Sequence, residues 1–157
     1  MTYKEYRDAR QAEFDALPIF WAFGRNQFKQ AMEERGLKET DTDKIYSFGG
    51  GGFYLRSDAQ IIRDYFSKPD PLRELMKDKE FAVSAFYYEM ANHEYHINNW
   101  QGDWDVCSCF SEKELEYEDG KNFIDYLHEA GYDDKVVDYY MEAARQFLRD
   151  ADEKGWY

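Results

Sequence analysis

The stretch DKVVDYYMEAARQFLRDAD, residues 134–152, carries the most regular hydrophobic pattern in the chain. Its apolar side chains recur at the 3.6-residue spacing of an α-helix, and charged side chains occupy the positions between them. The apolar positions are Val136, Val137, Tyr140, Met141, Ala144, Phe147 and Leu148. This spacing predicts an amphipathic helix that packs one face onto a core.

Upstream of this stretch, helix signals alternate with short strand signals. Thr2 and Glu5 have the spacing of a capping box, which predicts a first helix that ends at Leu17-Pro18. Residues 45–48 and 53–55 read as two strands around the run Gly49–Gly52, which predicts a hairpin. The further expected elements include a buried strand over 19–23, a helix over 79–95 and a strand over 104–110.

These elements together predict an α+β fold. We expect a helix-rich single domain over residues 1–157, with a small, mostly antiparallel sheet. Residues 1–110 would form the α+β core, and residues 111–157 an acidic helical extension packed on it. A second capping-box spacing, Ser111 with Glu114, would open this helical C-terminal third.

The composition bounds the class of protein. Aromatic residues make up 19% of the 157 residues, which is too much apolar surface for a disordered chain. No apolar run approaches the roughly 20 residues that span a bilayer, and the N-terminus lacks a secretory apolar core. The two cysteines, Cys107 and Cys109, are too close for an unstrained disulfide on one strand. We therefore expect a cytoplasmic protein that does not bind membranes.

The net charge of −13 is unevenly distributed. Residues 1–40 contain seven basic and seven acidic side chains, whereas residues 111–157 contain six basic and fourteen acidic ones. Such a surface repels nucleic acid and attracts basic protein surfaces. The charge predicts a protein partner with a basic surface and no direct contact with nucleic acid.

Two features of the C-terminal half predict where that partner binds. Five acidic residues crowd into eight positions, where they would repel one another on a helix. Two tryptophans lie in a polar, turn-like segment, and exposed tryptophans are common at binding hot spots, although both could instead fold back onto the core. The candidate partner-binding residues are Glu112, Glu114, Glu116, Glu118, Asp119, Trp100 and Trp104.

The candidates for a metal or thiol site are His93, His96, Cys107 and Cys109. Their spacing does not match the histidine pair of a metalloprotease or the Cys-x-x-Cys of a zinc knuckle. Partly exposed histidines and small buried thiols are the favoured interpretation. The glycine run lacks the Lys-Ser or Lys-Thr of a phosphate loop, which favours a turn. The sequence therefore predicts no catalytic residue, no bound metal and no cofactor.

Four segments carry a resemblance: residues 17–23 (Leu-Pro-Ile-Phe-Trp-Ala-Phe), Gln27-Phe28, the run Gly49–Gly52 and residues 92–95 (Asn-His-Glu-Tyr). In this order they resemble a family of short, uncharacterised proteins encoded by bacteriophages and mobile elements of gut bacteria, over residues 10–110. No functional residues are established for that family. The resemblance implies a genomic setting in which small acidic proteins often inhibit host defence, including CRISPR nucleases and restriction enzymes.

Three functions follow from these observations. The first is a non-enzymatic inhibitor, of the anti-CRISPR or antirestriction type, that binds a basic surface of a nucleic-acid-handling enzyme in the host cytoplasm. The second is a small metal- or thiol-dependent enzyme that uses His93, His96, Cys107 and Cys109. The third is a phage accessory or structural protein whose charge serves only solubility.

Overall fold

The computed structural model describes residues 1–98 and 100–157, which form two compact units. One unit comprises Met1–Ala9 with Asp70–Tyr157, and the other comprises Arg10–Pro69. The elements are α1 (Tyr3–Asp15), β1 (Phe20–Trp21), α2 (Arg25–Glu34), β2 (Ile45–Gly49), β3 (Gly52–Leu55), α3 (Ala59–Ser67), α4 (Leu72–Leu75), α5 (Lys79–Asn92), α6 (Gly102–Ser108), α7 (Phe123–Glu129) and α8 (Asp134–Lys154). The predicted helix-rich α+β class is confirmed.

The first helix begins as its sequence predicts. The Thr2 backbone amide donates to Oε2 of Glu5 at 2.7 Å, and the Glu5 amide donates to Oγ1 of Thr2 at 3.1 Å. This reciprocal pair satisfies two amides that have no partner inside the helix. The capping box is therefore confirmed.

The smaller unit contains a three-stranded antiparallel sheet in the order β1-β3-β2. The predicted hairpin is confirmed, because β2 pairs with β3 across Gly49–Gly52, with Tyr46 opposite Tyr54. Gly49, Gly50 and Gly51 all have positive φ, which the turn requires and glycine adopts without strain. The strand expected over 19–23 is only partly right, since β1 has two residues and Phe23, beyond it, is 75% exposed.

The larger unit is built around the packing of α5 against α8. Phe86 of α5 lies edge-on to Tyr140 of α8, with ring centroids 4.9 Å apart, and neither side chain is exposed. Helix α7 contributes Tyr126 and Leu127 to the same buried cluster. The elements beyond residue 110 thus supply part of this unit's core. The single domain over 1–157 and its boundary at 110 stay predictions.

The strand expected over 104–110 is wrong, because this stretch lies mostly in helix α6. The alternation of polar and apolar residues predicted a strand that would send Val106 and Cys107 to opposite faces. Helix α6 and the turn that follows it instead bring Val106, Cys107 and Phe110 into the core, and all three are buried. Core packing of these neighbours outweighs the local alternation.

The second capping box is also wrong. No helix begins at Ser111, and regular structure resumes only at Phe123. The Ser111 hydroxyl donates to the Lys113 carbonyl oxygen at 2.6 Å and does not cap a helix. Instead, Asn122 and Asp125 form a capping box at the start of α7. Across the described ranges, no helix combines the length and apolarity needed to cross a bilayer.

Candidate functional site

Glu112–Asp119, called the acidic segment below, has no regular secondary structure. Leu115 within it is buried, whereas the flanking Glu114 and Glu116 are exposed, as are Glu112, Glu118 and Asp119. This alternation has the two-residue period of an extended chain. The carboxylates predicted to lie on a helix therefore project from an irregular stretch at the surface.

Trp104 helps to hold the acidic segment in place. Its indole nitrogen donates to the Leu115 carbonyl oxygen at 2.6 Å, and its ring meets that of Tyr117 edge-on with centroids 6.1 Å apart. The side chain packs at the margin of the core. Trp104 thus fixes the position of the acidic segment, whereas Trp100 is 82% exposed.

The ion pairs of the acidic segment involve residues near its ends and not the two glutamates at its centre. Glu112 lies 3.8 Å from Arg73, and Glu118 lies 2.9 Å from Lys121. In the part of the chain that the structure describes, Glu114 and Glu116 form no ion pair. Exposed pairs of this kind contribute little to stability, so they leave the carboxylates available to a stronger cationic partner.

A second polar cluster lies within the larger unit, at Glu89 of α5. Glu89 is 1% exposed and is the one charged residue buried in the described ranges. The Tyr3 hydroxyl donates to its Oε1 at 2.8 Å, and Arg7 donates to the same oxygen. Asn92 donates to Oε2 at 3.3 Å. These donors supply the compensation that a buried carboxylate needs.

His93 and Cys109 complete this cluster on the Oε2 side. The Sγ of Cys109 lies 3.4 Å from Nε2 of His93 and 3.5 Å from Oε2 of Glu89, and Nε2 lies 3.5 Å from Oε2. Glu89 and His93 are four residues apart, so they share one face of the chain at the end of α5. Cys109 comes from the turn that follows α6. We call these three residues the Glu89–His93–Cys109 cluster.

Burial and the Glu89 carboxylate raise the pKa of the Cys109 thiol to about 12. A thiol with this pKa stays protonated at neutral pH, and the thiolate is the nucleophilic form. The pKa of Glu89 is lowered, because hydrogen bonds from Tyr3 and Asn92 and the charge of Arg7 outweigh the upward effect of its burial. Unless a bound cation ionises it, the Cys109 thiol is therefore not activated as a nucleophile.

The four residues named for a metal or thiol site do not lie together. His93 and Cys109 meet, but Cys107 is buried among core side chains. His96 Nε2 lies 3.2 Å from the Trp156 carbonyl oxygen, and its ring lies beside Phe147. Glu89 was not among the residues predicted from the sequence. The signal that could have identified it is its helical spacing from Phe81, Phe86 and Met90, which places the carboxylate on the face predicted to be buried.

Asp103, close to these residues in the sequence, has a structural role. Its Oδ1 accepts hydrogen bonds from the hydroxyls of Tyr95 at 2.7 Å and Tyr140 at 2.8 Å. Its Oδ2 accepts from the Phe123 backbone amide at 3.1 Å. One carboxylate therefore joins α6 to α7 and α8.

A family model of unknown function, DUF7659, matches residues 2–104. The chain belongs to the DUF7659 family. No curated protein matches the chain, and no solved structure does. The DUF7659 match contains Glu89 and His93, whereas Cys109 and the acidic segment follow its last matched residue.

Proposed function

We propose that this DUF7659 protein is a non-enzymatic interaction protein whose acidic segment binds a basic surface on a protein partner. The observation that carries the proposal is the exposure of all five carboxylates of the acidic segment beside the buried Leu115. A solvated surface usually mixes charges of both signs. Here the exposed acidic side chains outnumber Lys113, the one basic residue within the segment.

The concentration of carboxylates in the acidic segment suits a partner that handles nucleic acid. Five of its eight residues are acidic, and all five are exposed. A groove lined with lysine and arginine for phosphate binding would also attract this segment.

Trp100 offers an apolar contact to the same partner. Its side chain is 82% exposed, and burying an exposed tryptophan at an interface contributes strongly to affinity. We assign Trp104 a supporting role, because its indole nitrogen is already bonded within the chain. Trp100 and the five acidic residues form the proposed contact surface.

The finer proposal concerns the setting. The resemblance of residues 10–110 to phage and mobile-element proteins supports a phage origin and a role in the host cytoplasm as an inhibitor of a CRISPR or restriction nuclease. Occupation of the nuclease's basic groove by the acidic segment would exclude DNA by competition, without any catalytic step.

Affinity capture with three baits tests this proposal. The baits are the natural chain, a variant with lysine at all five acidic positions of the segment, and a control with lysine at Asp15, Glu33, Glu34, Asp43 and Asp64. The control positions are exposed and lie in the smaller unit, so both variants change the net charge equally.

The expected result is a basic, nucleic-acid-binding protein captured by the natural chain and by the control, released by double-stranded DNA and absent from the acidic-segment variant. Equal recovery with all three baits, or recovery of no such protein, would contradict the proposal. Circular dichroism confirms that each bait is folded.

A further inference from the structure

The three donor atoms of the Glu89–His93–Cys109 cluster have the separations of a tetrahedral metal site. Oε2 of Glu89, Nε2 of His93 and Sγ of Cys109 lie 3.4–3.5 Å from one another. Zinc binds nitrogen, oxygen and sulfur ligands at 2.0–2.3 Å, which puts tetrahedral ligand atoms about 3.3–3.8 Å apart. The separations of the three donor atoms therefore match those of three ligands in a tetrahedral zinc site.

We infer that Glu89, His93 and Cys109 bind a divalent transition metal of the zinc class, with one coordination position open to an external ligand. The inference is independent of the proposed function, because it involves none of the acidic segment. The mixture of one oxygen, one nitrogen and one sulfur donor favours zinc or cobalt over calcium and magnesium, which prefer oxygen ligands alone.

The neighbours of Glu89 orient it for this role. Tyr3 and Arg7 both donate to Oε1, so they hold the carboxylate with Oε2 directed at His93 and Cys109. Outer hydrogen bonds of this kind fix the ligand atom and the rotamer in known metal sites. Oε2 also accepts from Asn92 at the longer distance of 3.3 Å, which leaves it a further lone pair.

The net charge of the cluster and its neighbour Arg7 is compatible with a bound divalent cation. Carboxylate and thiolate ligands contribute two negative charges, and Arg7 contributes one positive charge on the opposite side of Glu89. A bound dication brings this group to a single net positive charge, which is modest for a partly exposed site. His93 is about one-third exposed, so the ion and an external ligand can reach the cluster from solvent.

Cobalt titration of the full chain tests the inference. A thiolate-bound cobalt ion in tetrahedral geometry gives a sulfur-to-metal charge-transfer band and intense visible bands. We expect both with the natural chain at one equivalent, and loss of the charge-transfer band in Cys109→Ser. Cys107→Ala is the matched control and should keep it.

Cobalt binding by variants of the two neighbouring histidines supplies a second comparison. His93→Gln should weaken cobalt binding by more than about 100-fold, since loss of an outer partner alone costs 10–100-fold. His96→Gln should bind as the natural chain does, because His96 lies outside the cluster. The inference is overturned by the absence of the band in the natural chain, by its persistence in Cys109→Ser, or by its loss in Cys107→Ala with the fold intact.

Discussion

Arg7 of α1 forms an ion pair with Glu89 of α5, 82 residues further along the chain. Glu89 is almost wholly buried, whereas the Arg7 side chain is 43% exposed and its guanidinium lies over the ring of Tyr88, 5.2 Å from the centroid. The pair joins the first helix to the core helix of the larger unit, and Tyr3 adds a hydrogen bond to the same carboxylate.

Arg7→Ala should destabilise the protein by about 2 kcal/mol, because it leaves a buried carboxylate without its cation. This loss of stability is smaller than the loss on breaking a fully buried ion pair, since Tyr3 and Asn92 still donate hydrogen bonds to Glu89. Urea unfolding at pH 7 measures this change in the free energy of unfolding. Lys4→Ala is the matched control, because Lys4 pairs with the exposed Asp8 on the same helix. An equal effect from both substitutions would contradict this account of Arg7.

The stability contributed by Glu89 should depend on pH. Its pKa is lowered in the folded chain, so folding favours the ionised carboxylate. This stability is present above the ordinary pKa of a glutamate and disappears as the pH falls through the lowered value. The difference in unfolding free energy between the natural chain and Glu89→Gln should therefore be largest near pH 7 and shrink in acid. A difference that is constant with pH would oppose this mechanism.

Asp103→Ala should cost about 3 kcal/mol, because it removes three hydrogen bonds and leaves the buried hydroxyl of Tyr140 without its acceptor. Asp103→Asn should cost less, since its amide oxygen can still accept. Asp105→Ala is the comparison, because the carboxylate of Asp105 accepts a hydrogen bond from the Asn98 side chain and the substitution removes that bond. Thermal unfolding ranks the three. An Asp103→Ala cost no greater than that of Asp105→Ala would refute the bridging role.

Trp104→Phe should loosen the acidic segment, because it removes the indole N–H that donates to the Leu115 carbonyl oxygen. We expect a loss of about 1 kcal/mol and faster hydrogen exchange at residues 112–119. Trp100→Phe should change neither quantity, since Trp100 is exposed. If both substitutions leave the exchange of the acidic segment unchanged, Trp104 does not anchor it.

Local patterns predicted those elements whose residues interact with near neighbours. The capping box at Thr2, the hairpin at Gly49–Gly52 and helix α8 follow from spacings of two to four residues, and the structure confirms them. The residues of helix α6 predict a strand because seven residues are too few to distinguish the helical period from the strand period, and core packing decides between them.

The polar cluster depended on contacts that no local pattern contains. Tyr3, Arg7, Glu89 and Cys109 come from three separate stretches of chain, so their meeting is set by tertiary packing. Residue type alone indicates His93 and Cys109 as candidates. It equally indicates His96 and Cys107, whose side chains lie elsewhere in the fold.

Binding of the captured partner, measured against salt concentration, tests the central proposal most directly. The account predicts that affinity falls steeply as salt rises, because charge attraction between exposed surfaces is screened. At low salt, reversal of the five charges should weaken binding about 70-fold, at roughly 0.5 kcal/mol for each lost pair. The control with five reversals in the smaller unit should bind within a few-fold of the natural chain. Equal weakening by both variants, or an affinity independent of salt, would contradict the assignment of the acidic segment as the contact surface.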